Sequence, residues 1–296
     1  MRVVSLLPSA TEIVFALGRG EDLVGVTFEC DFPAEARRRR IVSTSALPAG
    51  LTPSEIDAVV AGRIAAGEDL YRLDEGAFAD LDPDVVLTQD LCAVCAVDVG
   101  RVDDALAHLG CSAAVVTLDP ATLDAVLDSV AEVGRALGAE AEADHAVAGL
   151  RQRLDDLERS TRGATPRAML VLEWTDPPFS AGHWVPDLVS AGGGQPVLAH
   201  PAARSERLDW DGITASGAGV VLVAPCGYHL PAAIDLAREV VAGGRLPTEA
   251  EVWAVDADAF FVRPGPRVVD GAELVGQILH PGRCGAPDPD RAVRIA

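Results

Sequence analysis

Residues 121–162 read ATLDAVLDSVAEVGRALGAEAEADHAVAGLRQRLDDLERSTR, and this stretch decides the fold. Leu123, Val126, Leu127, Val130, Val133 and Leu137 recur at the three-and-four spacing of a single helical face. Gly138 interrupts the pattern, which resumes through Val147, Leu150, Leu154 and Leu157 with charges between them. A run of about 40 residues without a strand candidate is long enough to join two lobes rigidly.

On both sides of this stretch, short apolar strands alternate with helices. Before it, strands are predicted at 2–7, 22–26, 41–43, 85–88 and 113–118, with helices at 11–17, 53–66 and 99–109. Thr52 reads as the cap of the second helix and Ser9 as the cap of the first, which Gly18 stops. After it, strands are predicted at 168–172, 220–223 and 252–255, with helices at 185–190, 234–241 and 271–279. Such alternation predicts a parallel sheet covered on both faces in each half. The expected organisation is an α/β lobe at 1–120, a helical connector at 121–162, a second α/β lobe at 163–280 and a loose tail at 281–296.

The chain has 296 residues and carries 24 basic against 45 acidic side chains, a formal charge of −21. Phosphate backbones demand a basic surface, so nucleic acid is excluded as a partner, and an anionic membrane surface is disfavoured. No apolar stretch is long enough to insert in a bilayer. Every basic residue is arginine. Without lysine there is no P-loop and no Schiff base, which removes several large enzyme classes. The turn Gly192-Gly193-Gly194 follows a helix instead of joining a strand to one, so it reads as a helix end and not as a phosphate loop. Gly-x-Ser-x-Gly is absent, and no nucleophile is paired with a base. Arg37-Arg38-Arg39-Arg40 reads as a solvated surface stretch. Met1-Arg2 leads straight into the first strand with no export signal, which predicts a cytoplasmic protein.

Six cysteines in a reducing compartment read as free thiols, metal ligands or redox groups. Cys30, Cys92, Cys95 and Cys226 each follow a predicted strand, at the edge where open parallel sheets bind ligands. Cys92 and Cys95 also have the spacing of a metal or redox pair. A shared zinc or iron site on these four thiols is therefore one expectation, and simple packing of a small apolar side chain is the other. The aromatic residues point to the same edge. Only 13 residues are Phe, Trp or Tyr, yet Phe28, Trp174, Phe179, Trp184 and Tyr228 fall in strand-end loops. Aromatic walls with a few polar groups suit a large, flat ligand. His183 and His229 are the histidines best placed to act as ligands, and Glu29, Asp31, Asp90 and Glu173 lie beside the thiols.

Three segments together carry a family resemblance. They are Val3-Val4-Ser5-Leu6-Leu7-Pro8-Ser9-Ala10-Thr11-Glu12-Ile13, Leu81-Asp82-Pro83-Asp84-Val85-Val86-Leu87, and the run from Phe261 to Gly271. The chain resembles periplasmic-binding-protein-like proteins of the cobalamin- and siderophore-binding class over about residues 2–280. That resemblance implies two Rossmann-like α/β lobes joined by a long rigid helix, a ligand gripped in the cleft between them, and the permease of an ABC importer as partner. The expected function is binding of cobalamin or an iron chelate, without catalysis. Phe28, Trp174, Trp184 and Tyr228 would supply contact area, and Ser9, Glu29, Asp90 and Glu173 would orient polar substituents. The alternatives are a cytosolic metal or metallocofactor carrier using the four thiols, and a thiol- or metal-dependent enzyme centred on Cys92 and Cys95.

Overall fold

The computed structural model describes residues 1–68, 70–74, 76–77, 80–89 and 113–296. Asp90, Cys92, Cys95 and the helix expected at 99–109 lie outside the described residues. The chain divides into two compact units: Met1–Pro120 with Leu127–Ala148, and Ala121–Val126 with Gly149–Ala296.

The first unit is built on a six-stranded sheet of order β4-β3-β2-β1-β5-β6. Its strands are β1 (Val3–Ser5), β2 (Leu23–Thr27), β3 (Arg40–Ser45), β4 (Tyr71–Leu73), β5 (Val85–Thr88) and β6 (Ala114–Thr117). All pairings are parallel except that of β4 with β3. Alternate residues of a strand face opposite sides, and both sides of this sheet are covered. Val3, Val26, Val85 and Leu87 join one core cluster with Ile13, Val130, Val133 and Leu137. Val4, Val42 and Val86 join the other, with Leu70, Tyr71 and Leu81.

Helix α1 (Pro8–Ala16) starts earlier than its sequence suggests. Leu7 occupies the cap position, Pro8 opens the helix, and no side chain caps it. Ser9 therefore sits inside the first turn, buried, and is not the expected cap. Proline suits that first position because its missing N–H would have had no helical partner. Helix α2 (Pro53–Ala66) is read correctly to the residue. Thr52 and Glu55 form a reciprocal capping box, and Gly67 ends the helix in the left-handed region at φ +67°. The arginine run lies on the surface as its composition suggests, where it forms ion pairs. Arg37, Arg39 and Arg40 reach Asp31, Glu21 and Asp80 at 3.7, 2.8 and 3.2 Å.

The helical stretch that decided the fold forms α3 (Leu123–Ala136) and α4 (Glu140–Thr161), separated at Gly138, whose φ is +59°. The turn can be this tight because Gly134 has no side chain: a Cβ there would lie 2.4 Å from the Ala143 Cβ. Helix α4 runs unbroken through the residue boundary between the two units. The start of α3 is doubly capped, since Thr122 Oγ1 accepts from Ala125 N–H at 3.1 Å and the Asp187 carboxylate from Leu123 N–H at 2.9 Å. Burial, offset by the Leu123 bond and reinforced by Asp124, holds the Asp187 carboxyl above its ordinary range. Asp187→Ala is expected to cost about 1 kcal/mol, as lost helix caps do, read as a lower denaturant midpoint at neutral pH.

The second unit has sheet order β12-β11-β10-β7-β8, with β9 also on β7. Its strands are β7 (Arg167–Thr175), β8 (Pro178–Ser180), β9 (Gly194–Pro196), β10 (Val220–Val223), β11 (Glu251–Val255) and β12 (Ala292–Arg294). Strands β9, β7, β10 and β11 run parallel, while β8 and β12 are antiparallel edges. Its helices are α5 (Val185–Ala191), α6 (Trp210–Ala215), α7 (Leu230–Ala242), α8 (Ala257–Phe260), α9 (Val268–Leu279) and α10 (Pro281–Cys284). Gly192 caps α5 and Gly193 turns the chain at φ +79°, the helix-end role read for the three glycines. The last residues are not a loose tail. Strand β12 pairs Trp253 with Arg294 and Val255 with Ala292, closing the sheet edge and burying Ala292. Among the described residues, no helix is long and apolar enough to cross a membrane.

Candidate functional site

In the second unit the carboxyl ends of β7 and β10 carry an aromatic pair. Trp174, the penultimate residue of β7, and Tyr228, five residues past β10, have ring centroids 5.8 Å apart at an interplanar angle of 58°. That geometry is within the favourable tilted range for aromatic rings. Both residues are half-buried. The Trp174 indole N–H donates to the Asp176 carbonyl at 3.1 Å. Tyr228 is placed by the turn Pro225–Cys226–Gly227, in which its N–H donates to the Pro225 carbonyl at 3.2 Å and Gly227 takes φ +79°. Burial pushes the Tyr228 phenol above its ordinary value, so the ring presents a neutral hydroxyl at physiological pH.

Glu173 lies between Leu172 and Trp174, where the register of β7 against β8 shifts. Such bulges re-aim side chains. Its carboxylate oxygens accept from the Ser205 hydroxyl at 2.9 Å and from Gly182 N–H at 3.4 Å, and its carbonyl accepts from Cys226 N–H at 3.0 Å. Burial raises the carboxyl above its ordinary range, against the lowering effect of the Ser205 and Gly182 bonds. Between that ordinary value and the raised one, the folded chain keeps a proton that the unfolded chain releases, so stability falls as pH climbs through the window. Glu173→Gln removes that titration. Its melting temperature is expected to gain on wild type progressively from about pH 4 towards neutrality; a constant difference across the range would refute this.

The two histidines differ. His183 sits in the left-handed region at φ +53°, its ring 5.7 Å from that of Trp184. Its Nε2 is buried without a hydrogen-bond partner among the described residues, and burial, with the Arg204 charge, lowers its basicity. His229 is half exposed at the start of α7, with Nδ1 3.0 Å from Asp256, whose carboxylate also caps α8. Asp258 is paired with Arg263 and lies 3.8 Å from His229 Nε2.

At the corresponding edge of the first unit, Phe28 is 41 % exposed and its ring stands 6.1 Å from that of Tyr71. The Tyr71 hydroxyl donates to Glu29 at 3.1 Å. Phe28 and Glu29 are both joined to Tyr71, which the sequence did not single out because β4 is only three residues long. Ser205, on the segment after β9, was also missed. It shares no motif or spacing with Glu173, and only the paired backbones bring the two together.

Three expected site residues prove to be buried, and Ser9, 2 % exposed in the first turn of α1, has little surface to offer a ligand. Trp184 is 7 % exposed and spends its indole N–H on the Phe261 carbonyl at 2.7 Å, which leaves it little contact surface to offer a ligand. Cys30 is 1 % exposed, lies within the first unit's apolar cluster, and has its sulfur 3.0 Å from the Thr11 hydroxyl. The expectation of zinc or iron on four shared thiols is therefore corrected at Cys30, while Cys92 and Cys95 lie outside the described residues. A thiol 1 % exposed within that apolar cluster has no open side for a metal. Cys226 is half-buried beside Tyr228.

The chain matches the profile of the family described as periplasmic binding protein over residues 3–236. It is 24% identical over 277 residues to the vitamin B12-binding protein of Vibrio cholerae, covering 93% of this chain and 87% of that one. It is 22% identical over 292 residues to an uncharacterized ABC transporter substrate-binding lipoprotein of Bacillus subtilis, covering 95% and 80%. Among solved structures, a periplasmic heme binding protein from Pseudomonas aeruginosa superposes with a TM-score of 0.72 at 19% identity, covering 100% of this chain and 98% of that one. The periplasmic vitamin B12 binding protein of Vibrio cholerae gives 0.63 at 22% identity, covering 94% and 96%. These relatives overturn the cytoplasmic expectation and point to the far side of the cytoplasmic membrane. The residues after Met1 lead into β1 and describe the fold, not the compartment. Fold, matched profile and full-length relatives agree, and the chain belongs to the periplasmic binding protein family.

Proposed function

We propose that the protein is the substrate-binding component of an ABC importer and that its ligand is a large, flat metal chelate of the corrinoid type. The observation that carries this reading is the Trp174–Tyr228 pair at the carboxyl ends of parallel strands. A tilted pair of half-buried rings offers broad apolar area with two polar tips, which suits a macrocycle with polar substituents. Phe28 and Tyr71, with Glu29 as acceptor, supply the same chemistry at the edge of the first unit's sheet. The likeness to a vitamin B12-binding protein over 93% of the chain supports cobalamin. The permease of the importer is the implied protein partner, and the ligand is the cargo, bound without chemical change.

Titration of the full chain with cobalamin, followed by tryptophan fluorescence and calorimetry, tests the reading. Saturable one-to-one binding in the micromolar range or tighter is expected. Saturation by hemin alone would keep the flat-chelate class and replace the corrinoid. No saturation by either ligand at tens of micromolar, about −6 kcal/mol, would reject the reading.

A further inference from the structure

We propose that Glu173 is a positioning residue of the ligand site: instead of meeting the ligand, it clasps the segment 203–205 to the turn 181–184 and so fixes the bulge from which Trp174 faces Tyr228. This role rests on the binding function proposed above.

Three bonds from this one residue reach three different segments. One carboxylate oxygen accepts from the Ser205 hydroxyl at 2.9 Å, and the other from Gly182 N–H at 3.4 Å. The backbone carbonyl accepts from Cys226 N–H at 3.0 Å, two residues before Tyr228. Glu173 is thus tied to its neighbour Trp174 by the chain and to the loop of Tyr228 by its carbonyl. Both oxygens of the carboxyl are turned onto the protein, in keeping with the burial that holds it above its ordinary range.

The clasped segments need such a fastening. Residues 202–208 run along 178–183 as an irregular extra strand. Ser180 N–H donates to the Glu206 carbonyl at 2.9 Å, His183 N–H to that of Ala203 at 2.6 Å, and Ala202 N–H to that of His183 at 3.1 Å. His183 and Ala202 both take left-handed φ values, +53° and +61°. Non-glycine residues hold that conformation only where the surroundings over-determine it. The Glu173 side chain is a cross-tie from the sheet to both segments, beside the Ser180 bonds to Glu206. Without it, the bulged residue loses its only side-chain anchors to 182 and 205, and the indole next to it loses a fixed direction.

The test compares full-length Glu173→Ala, Glu173→Gln and Ser205→Ala by near-ultraviolet circular dichroism without ligand and by titration with cobalamin. The contribution of the aromatic pair is identified from the spectra of Trp174→Phe and Tyr228→Phe. Glu173→Ala is expected to lose that contribution and to weaken binding about tenfold, with its far-ultraviolet spectrum unchanged. Gln has the same length and keeps an acceptor, so it restores both readouts. Ser205→Ala, which removes one of the two side-chain bonds, falls between. An alanine variant with the wild-type near-ultraviolet spectrum and affinity would overturn the proposal. Should that variant not fold, a wild-type spectrum in Ser205→Ala overturns it instead. If wild type binds neither cobalamin nor hemin, the binding function fails while the spectra still decide the clasp.

Discussion

Trp174→Ala is expected to weaken cobalamin binding by roughly 30- to 150-fold, about 2–3 kcal/mol, while lowering thermal stability little. The two consequences separate because of where the ring sits. Trp174 is half-buried, and its indole N–H is satisfied locally by the Asp176 carbonyl two residues on. Truncation therefore opens no deep cavity. Its ring forms the tilted pair with Tyr228 at 5.8 Å, on the carboxyl side of the sheet. An indole buries on the order of 150–250 Å² when covered, so a ligand that covers it gains much of its affinity there. Trp184 predicts the reverse. It is 7 % exposed and its N–H reaches 77 residues along the chain to the Phe261 carbonyl, so truncating it should damage the fold before it touches affinity. Calorimetric titration of Trp174→Ala beside its melting curve decides the matter. Wild-type affinity in that variant would remove the aromatic pair from the site.

The contrast between these two tryptophans shows what the sequence could and could not disclose. Both lie in loops or strand ends of the same half, and composition alone ranked them equally. The difference is a backbone carbonyl far along the chain, and no local pattern encodes that. The regular elements were legible because their signals are local. Thr52, Glu55 and Gly67 mark both ends of α2, and continuous apolar runs in β5 and β10 match strands whose four residues are all buried. The three-residue strands β4, β8, β9 and β12 were not legible, since three residues carry no periodicity, whereas the equally short β1 was, because its apolar run continues to Leu7. Cys30 was misread for a related reason. Its place after a strand was right, but the side of the sheet it faces depends on the chain's turn at Thr27, whose carbonyl accepts from Cys30 N–H at 3.1 Å. Glu173 was singled out from the sequence, yet its partners Ser205 and Gly182 sit 32 and 9 residues away.

Gly182→Ala is expected to destabilise the second unit by about 3 kcal/mol, a fall of roughly 6–12 °C in melting temperature. An added Cβ would lie 2.4 Å from the Ser205 nitrogen, 2.6 Å from the Arg204 carbonyl carbon and 2.7 Å from the Ala203 oxygen. All three are backbone atoms, so no side-chain rotation relieves the clash. At Gly20, by contrast, the obstacle is the Phe15 ring, which can swing aside. At Gly18 no atom stands within 4 Å, and only φ +70° penalises a side chain, by about 1–2 kcal/mol. Gly182 shows no positive φ, so its requirement is purely one of space. Relief must come from moving 203–205 outward, which lengthens the Ser205–Glu173 and His183–Ala203 bonds of 2.9 and 2.6 Å. The stability loss should therefore come with a fall in the aromatic near-ultraviolet signal, in step with that of Glu173→Ala. A melting temperature within 2 °C of wild type would mean that the segment yields at little cost, and the close approach at Gly182 would then not be what holds it in place.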